Sequence, residues 1–206
     1  VIRIPAGTAR AELRERGSRF LAFAAPARTA LEARAIRDGE RARFHDATHH
    51  VWAFRGSNGE ERWDDDGEPA GTGGRPILAA IESGGVFDVS VVVTRWYGGT
   101  KLGTGGLSRA YGGVAASTIE ALELVAVRSG RILRLRYDWS DTGAVARTLD
   151  AFGARRVEER HAERAELDVA IPDVDTGALL AALQEVTGGR IATSILDGSV
   201  WVRGEA

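Results

Sequence analysis

The alternation of apolar and polar positions divides the chain into short elements with sharp stops. Residues 18–24 read as a short strand. Thr29-Ala-Leu-Glu32 has the capping-box spacing, and Leu31, Ala35, Ile36 and Ala42 suit a helix that ends before Phe44. Residues 48–55, rich in aromatic and β-branched types, read as a second strand. Residues 56–75 are polar, acidic and glycine-rich and read as a long loop, with Pro76 in the first turn of a helix reaching about Glu82. The clearest buried strand is 87–96, where Val91, Val92 and Val93 form an unbroken apolar run. It leads through a glycine-rich loop into a helix over 107–124, whose apolar face is Ala110, Val114, Ala115, Ile119 and Leu122. From about Arg131 the order becomes strand, helix, two strands, helix, strand, which is ferredoxin-like. The pattern predicts an α+β protein of two domains, 1–131 and 132–206.

Composition narrows the function without naming it. The 206 residues contain no cysteine, which excludes disulfides, thiolate nucleophiles and cysteine-ligated zinc. No apolar run approaches the roughly 20 residues that cross a bilayer, and no signal peptide is visible. The expected location is therefore the cytoplasm, and the absence of any Met, initiator included, suggests a trimmed start. Net charge is −2, but residues 133–206 hold 9 Arg and 13 Asp or Glu. The remaining excess of basic residues lies in the first part, the better place for a phosphate.

The densest chemical signal is the strand–glycine loop–helix around 91–113, where 7 of the 26 glycines fall within 17 residues. Glycine ahead of a helix lets backbone N–H groups converge on an anion, and the helix N-terminus adds partial positive charge. Arg95, Lys101, Thr104, Gly105, Gly106 and Arg109 are the candidate anion- or nucleic-acid-binding residues, and Lys101 is the chain's single lysine. The loop is not a Walker A, because Lys101 precedes the close glycines; its order is nearer the glycine loop of the GHMP small-molecule kinases. The competing reading is a tight turn that needs glycine for helix–sheet packing.

His49, Asp65, Asp66 and Glu68 form a second candidate group. Carboxylates this dense could hold Mg²⁺, or pair internally with Arg95 or Arg75, Arg being the natural bidentate partner; a solvated acidic turn is the commoner arrangement. His49 and His50 are adjacent on a strand, point to opposite faces, and cannot both join one site. No Gly-x-Ser-x-Gly elbow places a serine nucleophile.

Four segments also carry a resemblance. Ala47-Thr-His-His-Val-Trp-Ala-Phe54, Asp65-Asp-Gly-Glu-Pro-Ala-Gly-Thr72, Val93-Thr-Arg-Trp-Tyr-Gly-Gly99 and Leu102-Gly-Thr-Gly-Gly-Leu-Ser-Arg-Ala-Tyr-Gly112 resemble the signature blocks of the IMPACT/YigZ family. The tail resembles the small domain appended to bacterial members. The resemblance implies a first domain like the second domain of ribosomal protein S5 and a second like the last domain of elongation factor G. It also implies a link to translation; the eukaryotic relative works by protein–protein contact in the stress-kinase pathway that controls initiation.

The leading expectation is a translation-linked binding protein that contacts RNA, the ribosome or a translation-related protein through the glycine loop, with no cofactor or metal. The alternative is a phosphoryl-transfer or nucleotide-hydrolysing enzyme, with phosphates on the glycine loop and Mg²⁺ on the acidic one.

Overall fold

The computed structural model describes residues 1–203 and divides the chain into two compact units. The first, Ile2–Val125, contains β1 (Ile2–Pro5), β2 (Ala9–Glu15), β3 (Ser18–Pro26), α1 (Ala30–Arg43), β4 (His49–Arg55), β5 (Glu61–Asp64), α2 (Gly74–Gly84), β6 (Val89–Trp96) and α3 (Gly103–Glu120). The second begins at Ala126 and holds most of β7 (Leu124–Tyr137), then α4 (Thr142–Ala151), β8 (Arg155–His161), β9 (Ala165–Pro172), α5 (Thr176–Val186) and β10 (Ala192–Arg203). The expected α+β class is the observed one. The expected boundary at 131 falls inside β7, which runs unbroken through Arg131, so the units part at Val125 instead. The last three positions of the expected 132–206 domain lie outside the described residues.

The first unit is built on an antiparallel sheet in the order β2-β3-β6-β4-β5. β6 lies at its centre, which explains why Val91, Val92 and Val93 are all fully buried: successive residues face opposite layers. Val89, Val91 and Val93 face α2 and α3 together with Phe20, Ala22, Val51 and Ala53. Val92 faces α1 with Trp52 and Phe54. The α1 start is the expected one, with Thr29 Oγ1 accepting from the Glu32 N–H at 3.2 Å and Glu32 accepting from the Arg28 N–H at 2.6 Å. Leu31, expected on its apolar face, is 78% exposed; Ala33 fills the contact instead. The β2–β3 hairpin closes through Arg16 and Gly17, both at positive φ (47° and 83°), the combination that matches the right-handed twist of paired strands.

In the second unit, strands lie in the order β10-β7-β9-β8, all antiparallel, which is the ferredoxin-like arrangement expected from the tail. α4 and α5 contribute Val145, Leu149, Leu179 and Leu183 to its core, against Leu133, Leu135, Leu167, Val169 and Ile171 of the sheet. Its arginines are largely spent on its own acids. Arg134 donates to both oxygens of Asp168 at 2.8 and 2.9 Å, and Arg160 joins Glu166 and Asp168. The bond from Arg134 holds the Asp168 carboxyl below its usual range. Cations so engaged are poor phosphate ligands.

Candidate functional site

Strand geometry carries Arg95 to an unusual position. It continues the face of Val91 and Val93 by one more step of two, and it is paired in register with Phe20 on β3 and His49 on β4. The side chain is therefore drawn into the layer between sheet and α3, where Arg95 is only 4% exposed. A buried guanidinium needs a carboxylate, and Glu68 supplies it: Arg95 Nη1 donates to Glu68 Oε1 at 2.5 Å, and Nη2 donates to Ser18 Oγ at 3.2 Å. Tyr111, fully buried on α3, donates its hydroxyl to the same Oε1 at 2.7 Å and packs edge-on against Phe20. Burial, and then the bond to Glu68, push the Tyr111 phenol far above its ordinary range, so it stays a proton donor to Glu68 at every physiological pH. Sequence reasoning placed Glu68 beside Arg95 but passed over Tyr111. Its position four residues after Leu107, on the buried face of α3, was the available signal.

Above this triad lies a cleft of about 460 Å³ lined by Thr48, His49, Glu68, Pro69, Arg95, Tyr97, Lys101, Leu102, Gly103, Thr104 and Leu107. Each of the four motif segments contributes to its wall. α3 points its N-terminus here. It starts at Gly103, earlier than the expected 107, with Gly103 at φ 72° making the turn, and among the described residues no side chain caps it. The first-turn donors are thus those of Gly103, Thr104 and Gly105, whereas Leu107 lies inside the helix, where an intrahelical carbonyl can take its N–H. Lys101 is exposed at the rim. Tyr97 is 45% exposed; its N–H is held by Thr48 Oγ1 at 3.0 Å, and the Arg95 guanidinium sits 5.4 Å from its ring centre.

Not all the expected residues meet at this cleft. Arg109 is exposed and lines a different, smaller hollow with Leu13, Glu15, Gly106 and Ala110, because it lies round the helix from Thr104. Asp65 and Asp66 turn away. Asp65 caps α2, accepting the N–H groups of Gly71, Gly73 and Gly74 at 2.7–2.9 Å. Asp66, at φ 43°, accepts the His50 N–H at 2.6 Å and pairs with Arg41. With those oxygens occupied, the acidic loop does not offer the open carboxylate set that a Mg²⁺ ion needs. Among the described residues, no three His, Asp or Glu side chains gather as a metal site. His50, on the opposite face from His49, is buried, and that burial holds its imidazole below the ordinary range.

The Asp65 cap has a measurable consequence. Burial raises its carboxyl, but the three amide bonds outweigh it, and the net value lies below the usual range. A lowered folded value means the stabilisation is present above the unfolded Asp value and is lost as pH falls through the folded one. Asp65→Ala is expected to cost about 1–2 kcal/mol at neutral pH, a cost that shrinks as the pH falls below the ordinary carboxylate range. Urea unfolding of both proteins across that range checks it.

A two-unit α+β chain whose signature segments wall one cleft over a buried Arg–Glu–Tyr triad defines a class of protein, and its relatives say which. Residues 16–119 match the Impact N-terminal domain, and residues 135–190 match a domain of unknown function, DUF1949. The chain belongs to the IMPACT family. It is 39% identical over 181 residues to a Thermus thermophilus protein, the IMPACT family member in the pol 5′ region, covering 84% of this chain and 96% of that one. It is 30% identical over 175 residues to the Bacillus subtilis (strain 168) IMPACT family member YvyE, covering 84% and 81%. A crystal structure of a hypothetical protein superposes with a TM-score of 0.68 at 28% identity, covering 95% of this chain and 97% of that one. Among the described residues no helix is long and apolar enough to cross a membrane.

Proposed function

We propose that this protein serves translation by binding single-stranded RNA, of the ribosome or its ligands, in the cleft of the first unit. The observation that carries the reading is the meeting of three features at one place: the uncapped N-terminus of α3, the exposed Lys101, and the exposed ring of Tyr97. Backbone donors at a helix start and a lysine suit one phosphate; an aromatic ring held by its backbone suits a stacked base. Buried Arg95 is the positioning residue. Its charge is already balanced by Glu68, so it holds Tyr97 and the cleft floor rather than taking phosphate itself.

The test is fluorescence anisotropy with a short single-stranded RNA at several salt concentrations. Lys101→Ala is expected to weaken binding roughly two- to five-fold and to reduce the slope of log affinity against log salt by about 0.7, one single-strand phosphate contact. Arg109→Ala is expected to leave both unchanged. Identical salt slopes for wild type and Lys101→Ala contradict the proposal and favour a protein partner for this face.

A further inference from the structure

Two hydrogen-bond acceptors face each other on the floor of the cleft, with no donor of the described residues between them. His49 Nδ1 lies 2.8 Å from the carbonyl oxygen of Asp66. A carbonyl only accepts, so Nδ1 carries the proton, and in the neutral imidazole the lone pair of Nε2 is presented to the cleft. Nε2 is 3.7 Å from Glu68 Oε1, beyond hydrogen-bonding range. The Glu68 side chain is 4% exposed, and both bonds it accepts, from Arg95 and Tyr111, go to Oε1. Its Oε2 accepts none among the described residues. A partly sealed floor of acceptors is costly to cover with anything that does not donate to it.

The ligand that fits must therefore be donor-rich at one end and anionic at the other. An ammonium group would suit Glu68 but would meet Lys101 and the positive end of α3 at the rim. Among RNA bases the hydrogen-bonding edges decide the matter. Uracil offers one imino N–H between two carbonyls. Adenine and cytosine each offer an amino group beside an acceptor nitrogen, which would confront a carboxylate oxygen or the His49 lone pair. Guanine alone places two donors side by side, N1–H and N2–H, matching the acceptors at Glu68 and His49.

We infer that the cleft is a guanine subsite: Glu68 and His49 accept from the N1–H and N2–H edge, Tyr97 stacks on the base, and the α3 N-terminus with Lys101 takes a neighbouring phosphate. This rests on the RNA-binding reading above and specifies the base that reading leaves open.

The experiment uses the full chain and a set of nine-nucleotide RNAs, all uridine except for guanosine, inosine, adenosine or uridine at the centre. Guanosine is expected to bind about ten-fold tighter than adenosine or uridine, with inosine, which lacks the N2 amino group, in between. Glu68→Gln, which turns one acceptor into a donor, is expected to bring guanosine and adenosine to equal affinity in a protein whose circular dichroism is unchanged. Should that variant not fold, the inosine series on the wild-type protein decides alone. Equal affinity for all four centres overturns the guanine subsite while leaving RNA binding in place. Failure to bind any of them overturns the RNA-binding reading and the guanine subsite with it.

Discussion

Arg95→Met is expected to destabilise the first unit by about 3–5 kcal/mol, the loss typical of a broken buried ion pair. The size comes from what is left behind more than from the bond removed. Without Arg95, the Glu68 carboxylate stays in a site that is 4% exposed, held by Tyr111 but no longer neutralised. The prediction has an internal control. Replacing all three members together, as Arg95→Met, Glu68→Leu and Tyr111→Phe, removes the charges and the buried hydroxyl at once and is expected to recover most of the loss. Urea unfolding midpoints of the single and triple variants check it. A single variant within about 1 kcal/mol of wild type would mean the pair is not buried as described.

Gly98→Ala is the second substitution with a large expected effect, on the order of 3–5 kcal/mol. A Cβ at this position would lie 1.9 Å from the carbonyl carbon of Gly17 and 2.4 Å from the nitrogen of Ser18, both backbone atoms of the β2–β3 turn. No rotamer relieves that overlap; the turn or the cleft loop must move. The same segment carries Tyr97 and is tied to Ser18 Oγ through the Gly98 N–H at 3.2 Å, so RNA affinity should fall together with thermal stability. Gly99 is the contrast. It has open space around it but a φ of 87°, so Gly99→Ala is expected to cost only about 1–2 kcal/mol from backbone strain. Thermal melts of the two variants separate steric overlap from conformational strain.

These two sites also mark where the sequence was legible and where it was not. The buried strand β6, the α1 cap and the whole strand–helix order of the second unit follow from local rules: apolar runs, a Thr–Glu spacing, period two against period 3.6. β2 was passed over although Ala9, Ala11 and Leu13 alternate with Arg10, Glu12 and Arg14, because small apolar residues make a faint stripe. β5 was hidden for a stronger reason. Glu-Arg-Trp-Asp carries almost no strand preference, and it is a strand because β4 offers it an edge. Within the site, Glu68 with Arg95 followed from charge pairing. The separate duties of Asp65 and Asp66 did not, because adjacent carboxylates differ only in which way the turn at Asp66 and Gly67 aims them. Arg109 was grouped with Lys101 by proximity in sequence, whereas the turn of α3 carries it to another hollow.

RNA binding at the start of α3 is tested most directly by following backbone amide resonances while single-stranded RNA is added. The N–H signals of Gly103, Thr104 and Gly105 are expected to shift first and furthest, together with those of Tyr97 and Lys101, while the second unit stays largely unmoved. Shifts confined to residues beyond Ala126, with the start of α3 unchanged at saturation, would contradict it.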